Sequence, residues 1–180
     1  MMKGMNIYLK PLNISDATSI LELEIKNKEF FSQYSINRDS EFYTLEGQLK
    51  RMETIEESRE NDLGYSFGIY LNESHRLIGQ ISLFKIERGP AQRGMVGYSL
   101  DKDQNGKGYM TEALKSIVDF GFDQLKLHRI EAGVMPHNIG SIKILEKTGF
   151  QKEGIAKKYV MINGKWEDHQ ILAIINNRNE

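Results

Sequence analysis

At 180 residues, 39% hydrophobic and 27% charged, the chain is ordinary for a folded domain and long enough to bury a full core; one unit spanning 1–180 is expected. A formal net charge of −1 excludes a strongly basic nucleic-acid binder, and no apolar run approaches the roughly 20 residues that cross a bilayer. The absence of cysteine removes disulfides, thiolate zinc sites and any acyl-cysteine intermediate. No metal is expected either, because His75, His128, His137 and His169 show no ligand spacing. The start, MMKGMNIYLKPL, has no apolar run with a small-residue cleavage site, so a cytoplasmic location is expected.

Taken in chain order, Asn6 to Leu12 alternates like a short strand. Ser15 then serves as the expected N-cap of a helix whose apolar stripe is Ile20, Leu23 and Phe30. Residues 44–60 form a second, very polar helix. Three strands follow at 65–71, 76–86 and 94–100, separated by the turn sequences NESH and ERGPAQR. The clearest helix carries Met110, Leu114, Ile117, Val118, Gly121 and Leu125 on one 3.6-residue face. A strand at 128–135 ends at Pro136, and a helix over Asn138 to Thr148 stops at Gly149. Strands at about 152–162 and 165–175 flank Asn163-Gly164, a strong hairpin signal. The order β-α-α-β-β-β-α-β-α-β-β predicts an α+β fold with about four helices around a mixed, mostly antiparallel, seven-stranded sheet.

The segment DKDQNGKGYMTEALK places Gly106 and Gly108 just ahead of the clearest helix. A helix N-terminus presents unpaired N–H groups and about half a positive charge, and glycines let an anion reach them. A plain turn followed by a helix explains the same residues. Neither a Walker loop nor a dinucleotide fingerprint fits: Met95-Val96 follows Gly94, and Glu112 and Ala113 stand where another glycine is needed. Charge leans the same way as the anion reading, with 11 basic against 14 acidic side chains in residues 1–90 and 13 against 11 in residues 91–180.

About thirty residues on, VMPHNIGSIKILEKTGF joins a strand, a proline, Asn138, Ser141, a helix and Gly149-Phe150. Together the two segments resemble the GNAT superfamily of acyl-CoA-dependent N-acetyltransferases over nearly the whole chain. The family's Q/R-x-x-G-x-G/A motif aligns with Asn105, Gly106, Lys107, Gly108, Tyr109 and Met110, and its V-x-x-x-N-x-x-S segment with Val134, Asn138 and Ser141. GYSLDKDQNGKGYMTEAL, with Phe150, Glu153, Gly154, Asn163-Gly164 and Asp168, is similar to the Rim-type (RimJ/RimL-like) ribosomal-protein N-acetyltransferases.

The resemblance implies a sheet splayed between its fourth and fifth strands, with acetyl-CoA as co-substrate. The pyrophosphate would sit on residues 105–110 and Thr111, with Lys147 nearby; Tyr98, Ser99 and Leu100 would pair with the pantetheine arm, and Asn138 would hold its amide. Ser141 is the implied catalytic residue, a hydrogen-bond donor to the departing thiolate, because Leu145 stands where many relatives carry a tyrosine acid. Asn138 and Ser141 also read simply as the N-cap and first turn of a helix, and Tyr98 as a packed strand residue. Phe30, Phe31, Tyr34 and Glu131 are the acceptor-site candidates, with aromatic packing as the plain alternative; Trp166 is an open choice between acceptor wall and dimer contact.

The implied activity is direct acetyl transfer to a primary amine in a ternary complex, first of all the α-amine of a protein N-terminus such as that of a ribosomal protein. Without a strong base an α-amine is the easier nucleophile: freeing it at pH 7 costs about 1–1.4 kcal/mol, against about 4.6 for lysine. A small amine such as a polyamine or aminoglycoside, or a non-catalytic acyl-CoA-binding module, are the alternatives. No nucleic acid or membrane partner is expected, and a homodimer stays open.

Overall fold

The computed structural model describes residues 1–177, so the expected unit 1–180 extends past the described residues. Eight strands form one sheet: β1 (Met2–Lys3), β2 (Ile7–Pro11), β3 (Gly64–Leu71), β4 (Leu77–Glu87), β5 (Arg93–Leu100), β6 (Arg129–Val134), β7 (Gln151–Ile162) and β8 (Lys165–Ile175). The spatial order is β1-β2-β3-β4-β5-β6-β8-β7. All neighbours are antiparallel except β5 and β6. The helices are α1 (Ala17–Lys26), α2 (Lys28–Ser32), α3 (Leu45–Glu60), α4 (Tyr109–Asp119) and α5 (Ile139–Lys147).

Three expectations need correction. The sheet has eight strands rather than seven, because a turn closed by Gly4 N–H to Ile7 O (2.8 Å) folds Met2–Lys3 back onto β2. Two residues are too few for alternation to register. The N-terminal helix is split in two at Asn27, giving five helices. Asn27 is buried; its side-chain amide donates to Leu23 O at 3.0 Å, closing α1, and its Oδ1 accepts from Lys102 N–H at 3.0 Å. Finally, Asn13 rather than Ser15 is the cap. Its Oδ1 accepts from Ser15 N–H, while Asp16 accepts from Asn13 N–H, a reciprocal capping box on the turn that leads into α1.

Two cores sandwich the sheet. On one face Ile69, Ile81, Leu83 and Val96 pack against Met110, Leu114, Ile117 and Leu145 of α4 and α5. On the other, Leu12, Tyr70 and Leu77 pack against Ile20 and Leu23 of α1 and Met52 of α3. The hairpin at Asn163-Gly164 has the paired positive φ angles of its turn type, 50° and 78°.

What positions the site is the seam between β5 and β6. These strands pair only through Arg93–Met95 against Arg129–Glu131. From Val96 to Leu100 the β5 edge has no strand beside it, which is the expected splay. Asp101 N–H donates to Ile78 O of β4, so antiparallel alternation turns the Gly97 and Ser99 amides toward β4 and those of Tyr98 and Leu100 into the gap.

Candidate active site

Gly106 and Gly108 take φ angles of 77° and 81°, a left-handed conformation that favours glycine. Gly108 is the N-cap of α4 and offers no side-chain cap, so the first amides of the helix stay open for an anion. A Cβ at either glycine would meet nothing within 4 Å, so the space above the loop is clear. Asn105, Gly106 and Met110 line a cleft of about 680 Å³. Met110 is buried in the core cluster.

Across the cleft stands α5. Lys143 and Lys147 line it, and neither forms an ion pair among the described residues. Asn138 caps α5, its Oδ1 accepting from Ser141 N–H at 3.3 Å, while its amide nitrogen makes no hydrogen bond among the described residues. The capping reading and the ligand reading of Asn138 are therefore compatible. At the centre, Tyr98 of β5 and Ser141 of α5 join hydroxyls at 2.7 Å, bridging the two sides of the splay. Burial pushes the Tyr98 hydroxyl up to about 12, against a smaller opposing effect of its bond to Ser141. Leu145 is fully buried in the core, and no hydroxyl stands at that point of α5.

The remaining candidates divide. Ser99, Leu100, Phe30, Phe31 and Tyr34 line the same cleft, and Tyr34 lies against His137 with ring centroids 5.6 Å apart. Lys107, Tyr109 and Thr111 do not line it; Lys107 is exposed and hydrogen-bonds Gln104, and Tyr109 packs against the core. Glu131 lines neither the cleft nor the chamber behind it. It sits where β6 still pairs with β5, tied to Arg129 at 2.7 Å and Arg93 at 3.5 Å. Trp166, 53% exposed at the hairpin, lines neither this cleft nor the chamber behind it.

That chamber, about 360 Å³, lies on the opposite face of the sheet and shares Phe31, Ser35, Tyr98 and Ser99 with the cleft. Its polar frame is a chain of hydrogen bonds. Arg51 of α3 donates to Gln80 at 2.8 Å and to Gln48 at 3.2 Å, and Gln80 donates to Glu24 of α1 at 2.7 Å. Burial lowers the Arg51 guanidinium, while the nearby Glu24 charge pulls it back up. Sequence reading missed Glu24, Gln80 and Arg51. The available signal was Gln80 and Ser82 alternating with core residues Ile81 and Leu83, which marks polar side chains on a covered face.

Asp101 fixes the start of the glycine loop. It is 2% exposed and binds Lys26 at 2.7 Å, Arg76 at 3.2 Å and Asp103 N–H at 3.2 Å. Burial raises its carboxyl, but the Lys26 bond and the Asp103 amide outweigh that and hold it below the usual carboxylate range. A depressed carboxylate contributes stability above its unfolded value of about 3.9, and loses it as pH falls through the folded one. Asp101→Asn should cost roughly 1–3 kcal/mol at neutral pH. The gap in melting temperature between wild type and variant should close below about pH 4; a gap constant down to pH 2 would contradict this account.

A splayed sheet, an anion cradle at a helix start and a hydroxyl pair at the seam define an acyl-CoA-dependent acyltransferase. The family model described as Acetyltransferase (GNAT) domain matches residues 6–151, and the chain belongs to that family. It is 55% identical over 176 residues to Probable N-acetyltransferase YjcK of Bacillus subtilis (98% of this chain, 97% of the relative). It is 31% identical over 159 residues to the [Ribosomal protein uS5]-alanine N-acetyltransferase of Escherichia coli (88% and 82%). The crystal structure of ribosomal-protein-S5-alanine acetyltransferase from Vibrio fischeri superposes with TM-score 0.93 at 36% identity (98% and 96%). Mycobacterium smegmatis RimJ, solved with CoA-disulfide, shares the fold at TM-score 0.91 and 24% identity (96% and 83%). The chain is thus a Rim-type acetyl-CoA-dependent N-acetyltransferase. Among the described residues no group of side chains could hold a metal, and no helix is long and apolar enough to cross a membrane.

Proposed function

We propose that the acceptor is the α-amine of a protein N-terminus; the E. coli and V. fischeri relatives are named for acetylating an alanine of a ribosomal protein. The observation that carries this is the charge of the walls. Among the described residues Glu24 is the single carboxylate lining the cleft and the chamber, against Arg38, Arg51, Lys143 and Lys147. A polyamine or aminoglycoside brings several ammonium groups and would need several carboxylates. A peptide N-terminus brings one.

The glycine-loop amides, with Lys143 and Lys147, fit the pyrophosphate of acetyl-CoA, and the open β5 edge fits its amide-bearing arm. Acetyl-CoA supplies the activated acetyl group. The Tyr98 amide, facing the gap, polarises the carbonyl, a contact of the oxyanion type typically worth about 3 kcal/mol. The Ser141 hydroxyl donates to the sulfur, and Tyr98 donates to Ser141. With no cysteine to carry the acetyl group, transfer is direct.

A thiol-release assay tests the reading, and the enzyme adds no thiol background. Peptides with a free N-terminus should exceed N-blocked lysine peptides, polyamines and aminoglycosides at least tenfold in kcat/KM. A polyamine or antibiotic as the best substrate would overturn the choice of acceptor. Tight acetyl-CoA binding with no thiol release from any amine would favour a regulatory module.

A further inference from the structure

The Glu24 carboxylate is 8% exposed and has no cation within salt-bridge distance among the described residues. Its one hydrogen-bond donor is the neutral Gln80 amide. A buried carboxylate is costly unless a counter-charge meets it. Among the described residues no fully buried side-chain oxygen lacks a partner, so the second Glu24 oxygen, which has none, keeps some accessible surface, and Glu24 lines the chamber.

We propose that this chamber is the acceptor subsite, and that Glu24 binds the acceptor's α-ammonium there and takes its proton. This rests on the acetyl-transfer reading above. Gln80 and Ser99 are paired across β4 and β5, so Glu24 reaches the strand that carries the Tyr98 amide through a single side chain. Arg51 holds Gln80 by its oxygen, which aims the Gln80 NH2 at Glu24 and leaves the carboxylate as the acceptor of the network. The other ionisable groups lining the chamber are Arg38 and Tyr43, from the segment between α2 and α3, Arg51 of α3 and Tyr98 of β5; the strands otherwise present serines, Gly97, Phe84 and Gln80. Burial, and then the Glu24 charge, raise the Tyr43 hydroxyl, which keeps it neutral. Among the described residues no second carboxylate lines the chamber to accommodate a second ammonium.

The proton and bond balance is simple. The ammonium gives one proton to Glu24, and the amine nitrogen bonds the acetyl carbon as the C–S bond breaks. The second nitrogen proton ends on sulfur, and Glu24 releases its proton to solvent. One amide, one thiol and one proton result from one ammonium and one thioester.

Glu24→Gln keeps the shape and an oxygen for Gln80, and Glu24→Asp keeps the charge one methylene back. With a hexapeptide beginning in alanine, Glu24→Gln should lower kcat/KM at least tenfold at pH 7, with Glu24→Asp intermediate. Acetyl-CoA affinity by calorimetry should be unchanged. The deficit should shrink above about pH 8, where the α-amine arrives already neutral. Peptide binding to the CoA complex should weaken at least tenfold in Glu24→Gln, whereas a des-amino analogue should bind wild type and variant alike. An active wild type with an equally active Glu24→Gln overturns the role of Glu24 and leaves the transferase reading intact. A wild type that turns over no amine removes that reading, and the binding comparison then decides Glu24: equal binding, or none, overturns it.

Discussion

Ser141→Ala is expected to lower kcat roughly 10- to 100-fold while leaving the KM for acetyl-CoA nearly unchanged, the loss of one hydrogen bond to a developing charge. The split follows from geometry. Cofactor affinity belongs to the glycine loop and the α5 lysines, whereas the Ser141 hydroxyl sits at the seam, 2.7 Å from Tyr98. Proton donation by Tyr98 itself is too uphill: its hydroxyl is pushed up to about 12 by burial. Against a thiol near 8.5, transfer would cost about 5 kcal/mol. Hydrogen bonding is the affordable contribution, with Tyr98 polarising Ser141 and Ser141 meeting the sulfur. Tyr98→Phe should therefore cost less than Ser141→Ala, and the double variant should be no worse than Ser141→Ala, because the two hydroxyls act as a unit. Steady-state kinetics with saturating peptide measure this directly. Unchanged kcat with weakened acetyl-CoA binding in Ser141→Ala would make Ser141 a mere binding residue.

Local chemistry made much of this readable in advance. Asn163-Gly164 specified its hairpin, and the two glycines specified a left-handed loop into α4, because in each case the determinant lies within a few residues. The Asn138 cap of α5 was legible for the same reason. Non-local causes were not. Asn27 looks like an ordinary helix residue until Lys102, 75 positions away, is found on its side chain. Glu131 alternates with the core residues Ile130 and Ala132, yet which edge residue meets Arg93 and Arg129 depends on where the parallel pairing stops. Glu24 lies one position after Leu23 on a helix with a modest apolar stripe. Only the packing of α1 and α3 over β4 turns it into a buried, charged wall.

Gly79→Ala is expected to lower stability by roughly 2–3 kcal/mol, as overpacking does, and to reduce activity more than that loss alone explains. Gly79 is buried in β4 beside the β5 residues that form the seam. An added Cβ would lie 2.5 Å from the Ser99 carbonyl oxygen, 3.1 Å from Leu100 Cδ1 and 3.2 Å from Leu100 Cα. Two of these atoms are backbone, so no side chain can rotate away; β5 itself must move. Its φ is not positive, so the penalty is contact rather than backbone angle. Moving Ser99 and Leu100 also moves the open edge and the Tyr98 hydroxyl relative to Ser141, and a misplacement near 1 Å can cost about a hundredfold in rate. Gly140→Ala supplies the contrast. Its Cβ would meet nothing within 4 Å, and inside α5 alanine should gain up to about 1 kcal/mol. Urea denaturation of the two variants separates the cases: opposite signs are expected, and a neutral Gly79→Ala would mean that the β4–β5 spacing yields without cost.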